Sequence, residues 1–150
     1  MKLAEALILR ADLQKRLEQL RQRLAENALM QEGEQPAENP EQLLQEVWEA
    51  GRELENLVGR INLTNASVKR GEKTLTELLA RREALSLQVS IMRTALEAAS
   101  RKVMRGGRNE VKILSALDVP ALRKNLDEKS RVLRILDTSI QESNWLTELL

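Results

Sequence analysis

A heptad stripe through residues 75–103 limits the possible folds of this chain more than any other feature. Its nine positions alternate steps of three and four residues, and one of them carries a charge. Strand side chains repeat every second residue, so this spacing predicts a helix. A helix with such a stripe must bury it against other helices, which predicts an all-α fold. The positions are Leu75, Leu78, Arg82, Leu85, Val89, Met92, Leu96, Ala99 and Val103.

Four helices are expected from the stripes and from the residues that interrupt them. Asn39 before Pro40 has the residue types of an N-cap followed by a first helical position. Thr74 and Glu77 have the spacing of a capping box and open the third helix. Asp118 precedes the fourth helix. The predicted helices span residues 2–30, 40–65, 74–106 and 120–150.

Residues 101–117 follow a different pattern. Val111, Ile113 and Leu117 alternate with other residues as in a short strand, and Gly106 with Gly107 fits a tight hairpin turn. Such a strand must pair with the other side of the turn or with another chain. A plain loop is the alternative interpretation.

The helices predict one helical domain over residues 1–150. Short connections make neighbouring helices antiparallel. We therefore expect an elongated antiparallel four-helix bundle, or two long helical hairpins that complete the bundle between chains. The chain is long enough to bury a substantial core.

The register of the bundle, meaning which stripe residues face each other, follows from the position of the connections between the helices. Between the first two helices, the stripes predict Leu13 opposite Leu57. Across all four helices, the same reasoning predicts a layer made of leucines only. Each fully buried leucine contributes roughly 1.5–3 kcal/mol by transfer from water. The predicted layer contains Leu17, Leu54, Leu85 and Leu136.

The composition removes several classes of function. Cysteine and histidine are absent, so disulfides, thiol nucleophiles, Cys/His zinc sites and Ser-His triads are excluded. The net charge of +1 and the two aromatic residues argue against a specific nucleic-acid binder. No spacing supports a metal site or a cofactor site. We expect a protein without enzymatic activity.

Sequence hydropathy favours a cytoplasmic protein without a membrane partner. The apolar run at the start of the chain is interrupted by Glu5, Arg10 and Asp12, whereas a secretory signal needs a longer uncharged segment. No stretch is long and apolar enough to span a bilayer.

Five polar residues at or beside stripe positions form the candidate site. Two guanidinium groups near a helix seam need partners, because unpaired buried charge is costly. The pair could hold an anion such as phosphate or a carboxylate. Otherwise nearby carboxylates could be the partners, namely Glu5, Asp12, Glu77 or Glu142. The alternative is that both arginines extend to solvent along their aliphatic stems. The candidate residues are Arg10, Arg82, Thr64, Ser143 and Thr147.

Apolar residues outside the stripes favour packing between chains. Examples are Leu44, Leu79, Leu87, Ile135 and Leu146, which widen the apolar face beyond one seam. The leading hypothesis is therefore a cytoplasmic helical interaction or scaffolding protein that forms homo-oligomers or binds another protein. A small anion- or nucleotide-binding module is the second hypothesis.

Four segments resemble a small bacterial family. They are Met-Lys-Leu-Ala-Glu-Ala-Leu-Ile-Leu-Arg-Ala-Asp-Leu-Gln-Lys-Arg at 1–16, Ile-Asn-Leu-Thr-Asn at 61–65, Thr-Leu-Thr-Glu-Leu-Leu at 74–79 and Asn-Trp-Leu-Thr-Glu-Leu at 144–149. Members are often labelled septicolysin and are otherwise of unknown function. The resemblance covers nearly the whole chain and implies a pore-forming cytolysin, the third hypothesis. It assigns no functional residue.

Overall fold

The computed structural model describes residues 1–101 and 113–150, and over these residues the all-α prediction is confirmed. The described part holds four helices and one small antiparallel hairpin, with bounds α1 Leu3–Glu26, α2 Pro40–Ser67, β1 Lys69–Arg70, β2 Lys73–Thr74, α3 Leu75–Ala99 and α4 Val119–Leu146. The chain forms two compact units, Met1–Leu75 with Gln141–Leu150 and Thr76–Ile140. The single domain predicted from the sequence stays a prediction.

Helix α1 ends four residues earlier than predicted because of Asn27. The Asn27 amide nitrogen donates to the carbonyl oxygen of Arg23 at 2.8 Å, and its side-chain oxygen accepts from the backbone N–H of Glu38 at 2.8 Å. The Asn27 side chain therefore bonds the Arg23 carbonyl in the last turn of α1 and also the backbone of the connection that leads to α2. Asparagine forms such local backbone bonds readily, so it favours helix ends over helix interiors.

Helices α1 and α2 form an antiparallel pair in a register that differs from the predicted one. Arg16 pairs with Glu46 at 3.4 Å, and the Asn27 side chain meets Glu38. These contacts shift α2 by about two turns relative to the prediction that Leu13 faces Leu57. The earlier end of α1 explains the difference, because the stripes repeat every heptad and only the connection selects one register.

The core of the first unit lies between these two helices. On each helix one row of buried residues recurs at seven-residue steps, as in a heptad seam. In the observed register Leu20 lies opposite Leu43, and each alanine lies opposite a leucine, which lets the helix backbones approach closely. The two buried rows are Ala6, Leu13 and Leu20 on α1 and Leu43, Ala50 and Leu57 on α2.

The start of α2 is confirmed. The Asn39 side chain accepts a hydrogen bond from the backbone N–H of Glu41 at 3.0 Å, and Pro40 occupies the first helical position. The helix ends at Ser67, two residues beyond the prediction, and then enters the β1–β2 hairpin that sequence reasoning missed. Gly71 takes a φ of +66° in the turn, a conformation that glycine adopts without steric cost.

Helix α3 begins at Leu75, directly after Thr74, as predicted. Asp118 accepts a hydrogen bond from the backbone N–H of Ala121 at 3.1 Å, which confirms its position before α4. The strand predicted near 101–117 falls largely on residues 102–112, outside the described part, and residues 113–117 are not in a strand.

The extension of α4 to the C-terminus is wrong. The helix ends at Leu146, and the last four residues run antiparallel to the N-terminal residues. Leu3 donates its backbone N–H to the carbonyl of Thr147, and Leu149 donates to the carbonyl of Met1, both at 2.9 Å. Pairing with the other chain end satisfies backbone groups that a frayed helix end would leave to water.

The second unit contains most of α3 and α4. Arg82 of α3 pairs with Asp137 of α4 at 3.3 Å. Val89, Leu126 and Leu136 are buried, whereas Leu85 is half-buried. The predicted four-leucine layer includes residues from both units and stays a prediction.

Candidate functional site

Thr64 has a structural role. Its side chain is fully buried. The hydroxyl donates to the carbonyl of Arg60 at 2.8 Å and accepts the backbone N–H of Leu150 at 3.0 Å. The Arg60 guanidinium also donates to the carbonyl of Leu150 at 2.6 Å. These bonds fix the C-terminal residues against α2 and leave the Thr64 hydroxyl fully engaged.

Thr147 takes part in the same closure through its backbone. Its carbonyl accepts from Leu3, and its N–H donates to the carbonyl of Ser143 at 3.0 Å. Lys2 and the N-terminal ammonium both pair with Glu148. The hydrogen bond from Lys2, followed by that from the ammonium, lowers the pKa of Glu148 below its ordinary value.

Arg82 lies in the second unit and has a carboxylate partner. Asp137, which was not among the partners considered from the sequence, accepts from it at 3.3 Å. Both side chains are partly exposed, so this pair contributes little to stability.

Arg10 and Ser143 belong to the first unit and carry unsatisfied polar atoms. Arg10 Nε and Ser143 Oγ are both buried without a hydrogen-bond partner among the described residues. Glu5 and Glu142, two carboxylates considered for Arg10, are engaged by the backbone N–H of Lys2 and by Arg70. Buried polar groups are nearly always bonded, so these two atoms are exceptions that need an explanation.

Sequence reasoning missed two grooves in the second unit. The wide groove, of about 960 Å³, has an apolar wall formed by Leu79, Ala80, Leu87 and Leu133. The narrow groove, of about 380 Å³, is lined by residues that include Leu85 and Val132. The available signal was the set of apolar residues outside the stripe, which includes Leu79 and Leu87.

Several apolar residues of the second unit are exposed, and Leu87 and Ile135 are among those singled out from the sequence. Leu87 leaves 62% of its surface to solvent, and Ile91, one turn further along α3, is also exposed. On α4, Val132 and Ile135 are exposed. Contiguous exposed apolar surface is rare on soluble monomers and marks interaction sites. The apolar residues outside the stripe therefore indicated an exposed apolar surface in the sequence, although they did not indicate a groove.

Among the described residues, no group of three or more acidic side chains is placed to hold a metal ion. None of the helices in residues 1–101 and 113–150 has the length of uncharged apolar sequence needed to cross a membrane.

These features define an all-α protein that has a groove with one apolar wall in the second unit and, among the described residues, two buried polar side-chain atoms without a partner in the first. The chain belongs to a family of unknown function, DUF6847, whose model matches residues 10–149. It is similar to a functionally unknown conserved protein from Corynebacterium diphtheriae, known from a crystal structure. The two chains are 37% identical, with a TM-score of 0.92, over 100% of this chain and 99% of the other. No curated protein matches the chain.

The resemblance to septicolysin-labelled proteins is wrong. The family that the chain matches is one of unknown function, and the similar solved structure is described as functionally unknown. Neither carries a cytolysin description.

Proposed function

We propose that this protein is a helical interaction protein that self-associates through α3 and α4, with a second copy of the chain covering the wide groove. The role is non-enzymatic and cytoplasmic, in keeping with the composition. It requires no nucleic acid and no membrane. The single observation that carries the proposal is the exposed apolar surface at Leu87, which lines that groove.

The wide groove suits a helix as its occupant. It runs along α3, and small residues, Ala80, Ser86 and Ser90, lie on its α3 side. Small side chains let a second helix approach closely, while Leu87 supplies an apolar knob. Ile91 extends the same apolar surface by one turn.

An antiparallel arrangement of two α3 helices is self-complementary. Leu87 and Ile91 lie one turn apart on the same face of α3. When two α3 helices meet antiparallel at the level of Val89, Leu87 of each copy reaches the level of Ile91 of the other. The same patch then contributes from both copies, as a two-fold symmetric contact requires.

The test is the mass in solution, measured by sedimentation equilibrium between about 1 and 100 μM. The protomer mass is 17.1 kDa, and we expect the wild-type protein to sediment at twice that value. The double variant Leu87→Glu, Ile91→Glu should sediment as a protomer, because it would bury four unpaired carboxylates in the dimer contact. Circular dichroism checks that the variant remains helical.

Leu29→Glu is the matched control. It introduces the same charge at an exposed leucine in the connection between α1 and α2, and it should leave the dimer intact. A wild-type protein that stays a protomer over the whole range would overturn the proposal. A double variant that is folded and still dimeric would show that the contact lies elsewhere, which also refutes it.

A further inference from the structure

We infer that Arg10 and Ser143 form a binding site for a small oxyanion, such as a phosphate or carboxylate group. The inference is separate from self-association because the site lies in the first unit. It rests on the two orphan donors, Arg10 Nε and Ser143 Oγ. Ser143 is only 3% exposed, so its hydroxyl has lost water without gaining a protein partner.

The backbone register near the chain ends places these two side chains at similar depth. The backbone N–H of Leu3 donates to the carbonyl of Thr147 at 2.9 Å, so Leu3 and Thr147 lie at the same level. Distances along α1 and α4 can be compared from that level. Ser143 precedes Thr147 by one helical turn, about 6 Å, and Arg10 follows Leu3 by about 10 Å. An arginine side chain leans toward the N-terminus of its own helix, which brings the Arg10 guanidinium back toward the level of Ser143.

The donor set determines the class of ligand. A guanidinium group is a permanent cation with five N–H donors, and it matches the paired oxygens of phosphate and carboxylate. The serine hydroxyl can donate to a further oxygen of the same group. Arg10 makes no ion pair with any described residue, so its charge is available.

Arg10 is half-buried, which suits reversible binding. Its Nε atom is buried, and the residue as a whole is partly accessible to solvent. Thr64 is not part of the site, because its hydroxyl already makes two bonds. Thr147 contributes its backbone to the chain-end closure. The site is therefore smaller than the one expected from the sequence.

Thermal unfolding with added inorganic phosphate tests the inference, with chloride at the same ionic strength as the reference. At about 100 times its dissociation constant, a ligand that binds the folded state raises the Tm of a chain of this size by roughly 5–10 °C. We expect this rise for the wild-type protein and its loss in Arg10→Gln and Ser143→Ala. Succinate in a parallel series shows whether a carboxylate replaces phosphate.

Two controls protect the interpretation. Arg52→Gln removes an exposed guanidinium from α2 and should keep the full shift. Ser143→Ala should unfold no earlier than the wild-type protein without phosphate, because the lost hydroxyl has no partner. The Leu87→Glu, Ile91→Glu double variant should also keep the shift, which separates this test from self-association.

The inference is overturned if neither anion raises the Tm of the wild-type protein. It is equally overturned if Arg10→Gln keeps the shift, because the anion then binds elsewhere. Isothermal titration of phosphate into wild-type protein gives an independent readout, with a stoichiometry of about one anion per protomer expected.

Discussion

Replacement of Asn27 by alanine should destabilise the first unit more than any other change of one polar side chain in the α1–α2 connection. Asn27 is only 6% exposed and bonds at both ends of its amide. It donates to Arg23 and accepts from the backbone N–H of Glu38, each at 2.8 Å. Alanine would leave the part-buried N–H of Glu38 without its partner and would remove one of the two bonds that the Arg23 carbonyl accepts from residue 27.

The magnitude follows from these two hydrogen bonds. Each contributes about 0.5–1.5 kcal/mol net, so their joint loss should lower the free energy of unfolding by about 1–3 kcal/mol. For a chain of this size that corresponds to a fall in Tm of roughly 3–10 °C. The adjacent pair between Arg23 Nε and Glu38, at 3.0 Å, depends on the same chain path. If the connection loosens, this pair is weakened as well, so we expect the loss in the free energy of unfolding to lie toward the upper end of that range.

Urea unfolding followed by circular dichroism at 222 nm measures the change. Asn62→Ala is the matched control, because Asn62 is exposed in the interior of α2. Alanine is the better helix former, so this control should be neutral or slightly stabilising. An Asn27→Ala variant within about 0.5 kcal/mol of the wild-type protein would refute the assignment of Asn27 as the residue that closes the connection.

Two further predictions concern the core and the chain ends. Leu20→Ala should lower the free energy of unfolding by about 2–5 kcal/mol because Leu20 is 1% exposed, whereas Leu29→Ala, at 90% exposure, should change it by less than about 0.5 kcal/mol in the same urea titration. The pKa of Glu148 is lowered by its hydrogen bonds from Lys2 and the N-terminal ammonium, so its stabilisation is complete above its ordinary pKa of 4.5 and is lost as pH falls through the lower folded value. The urea midpoint of Glu148→Gln should therefore lie below that of the wild-type protein at pH 7, and the two should converge as the pH is lowered below 4.5; a constant difference down to pH 2 would contradict this.

Helix starts were predictable from the sequence, and helix ends were less so. Asn39, Thr74 and Asp118 precede α2, α3 and α4, because short polar side chains accept bonds from the first free N–H groups of a helix. The end of α1 depends on Asn27 meeting Glu38, eleven residues later. The end of α4 depends on pairing with Met1–Leu3, at the opposite end of the chain. Local propensity contains no information about either contact.

The candidate site was predicted in part for the same reason. Polar residues at stripe positions identified Arg10 and Ser143, whose orphan atoms the structure now locates in the first unit. The sequence could not show that the Thr64 hydroxyl donates a hydrogen bond to the carbonyl of Arg60 and accepts one from the backbone N–H of Leu150. The bond with Leu150 depends on the path of the last four residues of the chain. The sequence predicted these residues as part of α4, whereas the structure places them after its end.

Helical stripes of similar strength have different outcomes in the two units. In the first unit, Leu13 and Leu20 are buried with the facing row of α2. In the second unit, the α3 stripe is mostly half-buried, and Leu87 beside it is exposed. A heptad stripe predicts that one face of a helix is buried, but it does not predict which other helix packs against that face. The exposed apolar surface on α3 is the part that the proposed self-association would bury.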